Sequence, residues 1–201
     1  MIIKELKKKN NNTYIVKTDS GDYVFSEDVI IKYKLMPNKV IDEAVIPLAM
    51  IEEDVTKLYN QALNYAINYG KSLNMIRNYL KSKNASPATI DEIISRLLKI
   101  KIINDVNNIN NRILTLIKKG NGRLLIKEKL LALKFNLEDI NNALDNIDDS
   151  LYYEGLNDLV NKVKSKYDLS NIKDIAKLKR YLLSRGYTYL EIENVNIKGS
   201  I

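Results

Sequence analysis

Three times in this chain an apolar residue is followed four positions later by Leu and fourteen positions later by Ile: Ile76, Leu80 and Ile90; Ile126, Leu130 and Ile140; Leu178, Leu182 and Ile192. The first members lie 50 and 52 residues apart, so the chain reads as a tandem repeat of one helical unit. The i, i+4 pair puts two side chains on one helix face, and a short polar turn at 84–87, 136–139 or 186–189 leads into the next helix. A further helix precedes each pair, over 55–69, 106–118 and 151–166, which makes each unit a three-helix one. At the turn, Ala85, Phe135 and Tyr187 are equivalent apolar plugs. Asn84, Lys134 and Gly186, just before them, stand where a helix commonly ends in a left-handed residue. Gly and Asn suit that conformation and Lys does not, so the second turn is expected to be the strained one.

The amino-terminal stretch follows a different pattern. Residues 2–8, 13–18 and 22–25 hold β-branched or aromatic residues in short runs, and Asp19-Ser20-Gly21-Asp22 is a hairpin turn signal, which predicts a three-stranded sheet. Ser26 is the expected N-cap of a short helix that starts with Glu27 and Asp28, runs to about Leu35 and is stopped by Pro37 and Asn38. The segment 41–50, interrupted by Pro47, is expected to be a junction. The predicted fold is mainly α: three tandem three-helix repeats in an elongated curved array, preceded by a small β-hairpin or three-stranded module with a short helix. The predicted boundaries are 1–52 for the small α+β module and 53–105, 106–148 and 149–201 for the repeats.

Composition narrows the chemistry. There is no Cys and no His, which removes disulfides, thiolate metal sites, the usual general base and the commonest metal ligand, so neither cofactor nor metal is expected. The paired acids Glu138-Asp139 and Asp148-Asp149 do not replace them, since adjacent residues on a helix point about 100° apart. No run of about 18 apolar residues exists to span a bilayer, and the opening MIIKELKKKN lacks the apolar run of a signal peptide, so the expected location is cytoplasmic. A repeat protein with polar ends needs no second chain to complete its core, so a monomer is expected.

The formal charge of +7 sits in the helical part. Residues 1–55 carry 8 Lys+Arg against 10 Asp+Glu, whereas residues 56–105 carry 8 against 3. Such a balance suits attraction to polyanions, and a Lys- and Asn-favouring coding bias produces it too. The residue after the first core position is basic in all three units, Arg77, Lys127 and Lys179, and is turned about 100° from the buried face. Lys81, Arg180 and Arg185 share those helices. Lys118, Lys119 and Arg123 bracket the Gly120-Asn121-Gly122 turn, whose glycines can present backbone amides to a phosphate or a carboxylate at a helix start. The alternatives are a solvated helix face for the cations and a helix C-cap glycine followed by a flexible one for the turn. The turn is not an ATPase-type phosphate loop, because no Gly-Lys-Ser/Thr follows and no strand precedes it.

These residues carry a resemblance. Ala62 to Tyr65 with Ser72, Leu80 and the helix at 90–97, the stretch 119–130 with its basic Gly-x-Gly turn, and LLSRGY at 182–187 resemble the repeats of the regulatory protein RecX family, modulators of the recombinase RecA. Tyr23 to Ser26 and DVIIKYKL at 28–35 resemble the amino-terminal extension of Gram-positive-type members. Departures are Lys83-Asn84 and Lys134-Phe135, where the family usually has Lys-Gly, Met75 in place of an acid after Ser72, and Ile109 in place of an aromatic residue.

The resemblance implies a non-enzymatic negative regulator that lies in the groove of the RecA filament on single-stranded DNA and restrains filament growth, ATP hydrolysis and strand exchange, within homologous recombination, DNA repair and the SOS response. Its expected contacts are Arg77, Lys81, Lys118, Lys119, Gly120, Gly122, Arg123, Lys127, Lys179, Arg180 and Arg185. Duplex DNA would bind more weakly, with steep loss in salt. Tyrosines at 65, 69, 79, 152, 153, 181, 187 and 189 are interleaved with these charges and can stack on bases or pack between units. The rival reading is a helical transcriptional regulator whose 124–134 helix enters the major groove without any recombinase.

Overall fold

Short β-rich runs at the start of the chain form a sheet that sets Ile3, Val16 and Phe25 into one core with the helices that follow. The computed structural model describes residues 1–68 and 70–195. Strands β1 (Ile3–Asn10), β2 (Thr13–Thr18) and β3 (Asp22–Ser26) pair antiparallel in chain order. At the second hairpin the Thr18 hydroxyl donates to Gly21 O and accepts the amides of Ser20 and Gly21, which closes the turn in the expected place.

Helix α1 (Glu27–Tyr33) begins after Ser26, but Ser26 does not cap it in the expected way. Both its amide and its hydroxyl donate to the Glu53 carboxylate, at 2.7 and 2.8 Å, and Glu53 is 5% exposed. The helix ends on Lys34 in the left-handed region (φ 52), where the Leu35 amide reaches back to Ile30 O, so it stops before Pro37 is reached. Helix α2 (Val45–Ile67) runs through the segment expected as a broken junction. Pro47 sits in its first turn, where the missing N–H has no helical partner to lose, so the proline starts the helix instead of interrupting it. Ile46 and Ala49 of α2 close one core with Ile3, Val16, Phe25, Val29, Ile30 and Leu35.

The described helices continue with α3 (Leu73–Ser82), α4 (Pro87–Lys99), α5 (Asp105–Lys118), α6 (Arg123–Ala132), α7 (Leu137–Asp145), α8 (Asp149–Val163), α9 (Ile172–Ser184) and α10 (Tyr189–Asn194). They belong to two compact units: Met1–Asn68 with Arg77–Ile100, and Tyr69–Ile76 with Lys101–Ile201. Tyr69 and the end of the expected third repeat, 196–201, lie outside the described residues. All nine members of the Ile/Leu pattern are at most 2% exposed.

The turns after α3, α6 and α9 are built alike. Asn84, Lys134 and Gly186 have φ of 59°, 60° and 84°. The amide of each left-handed residue bonds three residues back, to Lys81 O, Leu131 O and Leu183 O, and the next amide bonds five back, to Leu80 O, Leu130 O and Leu182 O. This is the Schellman pattern, in which the residue after the left-handed one packs back on the helix. That residue is Ala85, Phe135 or Tyr187, and the last two are buried. Lys134→Gly is expected to raise stability by about 0.5–1 kcal/mol, because relief of left-handed strain exceeds the added chain entropy of Gly. Gly186→Ala is expected to cost about 2–3 kcal/mol, since its Cβ would lie against the backbone of Leu125. Urea unfolding of the two variants checks both signs.

Candidate interaction surface

Within the second unit, the left-handed turns are also docking points. Ser72, just before α3, donates its hydroxyl to Leu133 O at 2.8 Å, and Asn74 Nδ2 donates to Lys134 O at 3.1 Å. Gly122, the equivalent of Ser72, donates its amide to Arg185 O at 2.8 Å, and the Leu124 amide donates to Gly186 O at 3.2 Å. Leu133 and Arg185 hold the same place in their turns, immediately before the left-handed residue. Both contacts therefore seat the start of a helix on the carbonyl that ends a later one.

Neighbouring positions repeat the theme. The carbonyls of the left-handed glycines Gly70 and Gly120 each accept a guanidinium, from Arg112 at 3.2 Å and from Arg185 at 3.1 Å, and Arg185 also reaches Lys119 O at 2.6 Å. The first residue of α5, Asp105, accepts the Leu73 amide with both oxygens at 3.1 Å. The acid thus caps the amide next to Ser72, whose own hydroxyl accepts the Met75 amide. The first residue of α8, Asp149, pairs with Arg123 at 2.5 Å.

These contacts decide what the Gly120-Asn121-Gly122 turn does. Gly120 (φ 70) ends α5 in another Schellman turn, with amides of Gly120 and Asn121 on Ile117 O and Leu116 O. The second glycine is not a loose link. A Cβ on Gly122 would stand 2.7 Å from the Tyr187 amide nitrogen, so the residue is bare because two backbones meet there. Its amide is spent on Arg185 O.

The basic residues separate into two kinds. Arg77 pairs with Asp91 at 2.8 Å. Arg123 pairs with Asp149 and, at 3.6 Å, Asp145, and lies over the Tyr152 ring at 4.6 Å. Arg185 is committed to the end of α5. By contrast Lys81, Lys118, Lys119 and Arg180 are exposed, and Lys127 and Lys179 are half-buried. Of the tyrosines, Tyr152 and Tyr187 are buried, Tyr65 stacks on Tyr79 at 4.4 Å, and Tyr153 and Tyr189 are exposed. Tyr69 lies outside the described residues.

Two cations outside the expected set, Arg112 and Lys129, join Lys119 around a groove of about 520 Å³ along α5 and α6. Arg112, Leu116 and Lys119 recur at i, i+4, i+7 along α5 and its C-cap, on the flank of the buried Ile109, Ile113 and Ile117 face, and that stripe is the signal by which the sequence could have shown them.

A small antiparallel sheet followed by helices, some of them seated on one another's turns, with cations and a groove as surface features, defines a mainly helical protein with an amino-terminal sheet. Among the described residues no group of His, Cys, Asp or Glu is placed to hold a metal ion, and no helix is long and apolar enough to cross a membrane. No family model matches the chain. The regulatory proteins RecX of Bacillus thuringiensis strain Al Hakam and Bacillus cereus strain B4264 are each 27% identical to it over 199 residues, which is 92% of this chain and 70% of theirs. A crystal structure of regulatory protein RecX shares the fold, with a TM-score of 0.75 over 96% of this chain and 97% of that one at 20% identity. RecX from Lactobacillus salivarius aligns with a TM-score of 0.64 and 27% identity over 71% of this chain and 94% of its own. Together these likenesses make the chain similar in sequence to proteins named regulatory protein RecX and similar in fold to RecX crystal structures.

Gly122→Ala is expected to lower stability by about 2–3 kcal/mol through overpacking at the Gly186–Tyr187 backbone, read as a fall in melting temperature. Asp105 supplies a pH test. Burial pushes its carboxyl above the ordinary 3.8, against the Leu73 amide, and the charge of Asp139 adds to the rise. A raised folded pKa means the folded state holds this proton more tightly, so the contribution is complete below 3.8 and is lost as pH rises through the folded value. Asp105→Asn keeps an acceptor for Leu73 without the charge. Its stability relative to the parent is expected to improve as pH rises from 3.8 to neutrality in a urea unfolding series.

Proposed function

We propose that this protein is a negative regulator of the RecA recombinase, acting on the RecA filament on single-stranded DNA to restrain its growth, ATP hydrolysis and strand exchange. The observation that carries the reading is 27% identity to proteins named regulatory protein RecX over 92% of the chain. The cations turned to the surface give the attraction that such a partner or its enclosed phosphates require. In this reading the units 53–105, 106–148 and 149–201 are successive copies that present Arg77, Lys127 and Lys179 at matched positions, with Lys81, Lys118, Lys119 and Arg180 around them. Arg123, Arg185 and the two turn glycines then contribute by holding the surface in shape. Action as a cytoplasmic monomer without cofactor belongs to the same reading.

The transcriptional-regulator reading is less favoured by the geometry of α6. A recognition helix uses its first turn on base edges, and the first turn of α6 is engaged by the backbone of Arg185 and Gly186.

The test is a RecA ATPase and strand-exchange assay on single-stranded DNA at two salt concentrations. Addition of the protein is expected to slow both reactions, and the variant with Arg77, Lys127 and Lys179 all replaced by Ala is expected to inhibit less while keeping its helical circular dichroism. No effect of the parent protein at either salt concentration overturns the reading.

A further inference from the structure

Within the second unit, the end of α7, the first turns of α8 and the start of α10 enclose, together with Arg123, a cavity of about 510 Å³. Three of its lining groups are carboxylates, Asp145, Asp149 and Glu191, against the one cation Arg123, a formal balance of −2. We propose that this cavity receives an arginine side chain of a partner protein, with the guanidinium among the carboxylates and the stem on Ile147 and Tyr153. The proposal goes beyond the recombinase reading and rests on no part of it.

Acids on a surface are ordinarily just solvated, but here a buried hydroxyl stands with them. Tyr152 lines the cavity and is 3% exposed, and its hydroxyl has no hydrogen-bond partner among the described residues. The charges that act on that hydroxyl are those of Arg123, Asp149, Glu191 and Asp145, so it is turned toward the charged wall of the cavity. Burial holds the phenol above its ordinary 10, which keeps its proton on at neutral pH. A polar group left unpaired in such a place is costly, and an arriving N–H supplies the donor that its oxygen lacks while its own proton turns to a carboxylate.

The cavity also has room for a second cation. Asp145 and Asp149 both touch Arg123, yet 75% and 77% of their side-chain surface stays exposed, so oxygen atoms of each remain open to another donor. The wall is fixed beforehand: Glu191 accepts the Thr188 amide and hydroxyl, and Arg123 donates to Leu144 O over the Tyr152 ring. Arginine suits the place better than lysine, because a planar fork reaches several carboxylates at once and stacks on a ring such as the exposed Tyr153. A free cation gains little, since exposed ion pairs are weak in water. A side chain carried by a protein segment adds burial of its stem on Ile147 and Tyr153. Nucleic acid is disfavoured by the sign of the charge.

The experiment is fluorescence anisotropy of the full chain with a short peptide of Gly and Leu around a single Arg, carrying an uncharged dye. Probes for comparison are the same peptide with citrulline for Arg, which keeps the shape without the charge, the same peptide with Lys, and free arginine amide as a competitor. The Arg peptide is expected to bind tightest, and less tightly as salt rises. In the double variant Asp145→Asn with Glu191→Gln, which takes the lining balance from −2 to 0, its affinity should fall on the order of tenfold or more. Gln at 191 retains an acceptor for the α10 cap. Tyr152→Phe separates a binding role from a structural one. Loss of an unpaired hydroxyl leaves the melting temperature unchanged or higher, while affinity for the Arg peptide falls. Glu128→Gln with Asp158→Asn, exposed acids that do not line the cavity, should leave affinity unchanged. Absence of binding by the parent, equal binding of the citrulline peptide, or unchanged affinity in the cavity variants overturns the proposal, and if the double variant unfolds Tyr152→Phe decides. Arginine amide that competes as tightly as the whole peptide binds would mark a site for small cations and overturn it too. Recombinase inhibition by the parent is measured separately, so failure of the peptide titration leaves that reading standing and the reverse also holds.

Discussion

A carbonyl group at the end of a helix is an acceptor without an intrahelical donor, and in the second unit two such carbonyls, on Leu133 and Arg185, are satisfied by the beginnings of α3 and α6. The left-handed residue next to each carbonyl aims it outward, and the buried plug beyond, Phe135 or Tyr187, fixes the turn against its own helix. One hydrogen bond of this kind contributes only about 0.5–1.5 kcal/mol. Its importance lies in position: it sets the spacing at which Ile126, Leu130, Leu178 and Leu182 become buried, and apolar burial supplies the larger energy.

Much of this was legible from the Ile/Leu spacing, because a buried helix face and a left-handed C-cap are both local in sequence. Lys134 is the instructive case. The lysine was unfavourable for the conformation, yet the backbone adopts it with φ 60°, since the plug Phe135 and the seat on Leu133 and Lys134 carbonyls both require it. The three strands were legible for the same local reason. What escaped was tertiary. Nothing near Ser26 announces that its hydroxyl donates to Glu53, nor that Gly122 is bare because the Gly186 backbone passes over it. Pro47 was misread as a break because a proline in the first turn of a helix looks like one in its interior until the helix start is known.

Charge in this chain divides by task. Arg185 and Arg123 are drawn inward, onto carbonyls at the end of α5 and onto Tyr152 with Asp145 and Asp149, where a planar fork and a weakly hydrated cation suit several acceptors at once. Lys81, Lys118, Lys119 and Lys129 stay outward, as does Arg180, and Lys127 and Lys179 are half-buried. Exposed ion pairs contribute little stability, so the lysines cost the fold little and are available to set its field. The candidate surface was therefore only partly readable from positive residues alone, because which cations act as braces depends on carbonyls and acids brought near by folding.

The α9 position aligned with the two seats differs from them. Counting four back from the first core position gives Ser72, Gly122 and then Asp174. The first offers a hydroxyl and the second a bare amide, both hydrogen donors. Asp174 lies inside α9, and its carboxylate already accepts the Asp168 amide and Lys177. What holds α3 to Leu133 and α6 to Arg185 is thus a donor standing just ahead of a helix, a hydroxyl in one case and a backbone amide in the other, whereas position 174 is occupied within its own segment.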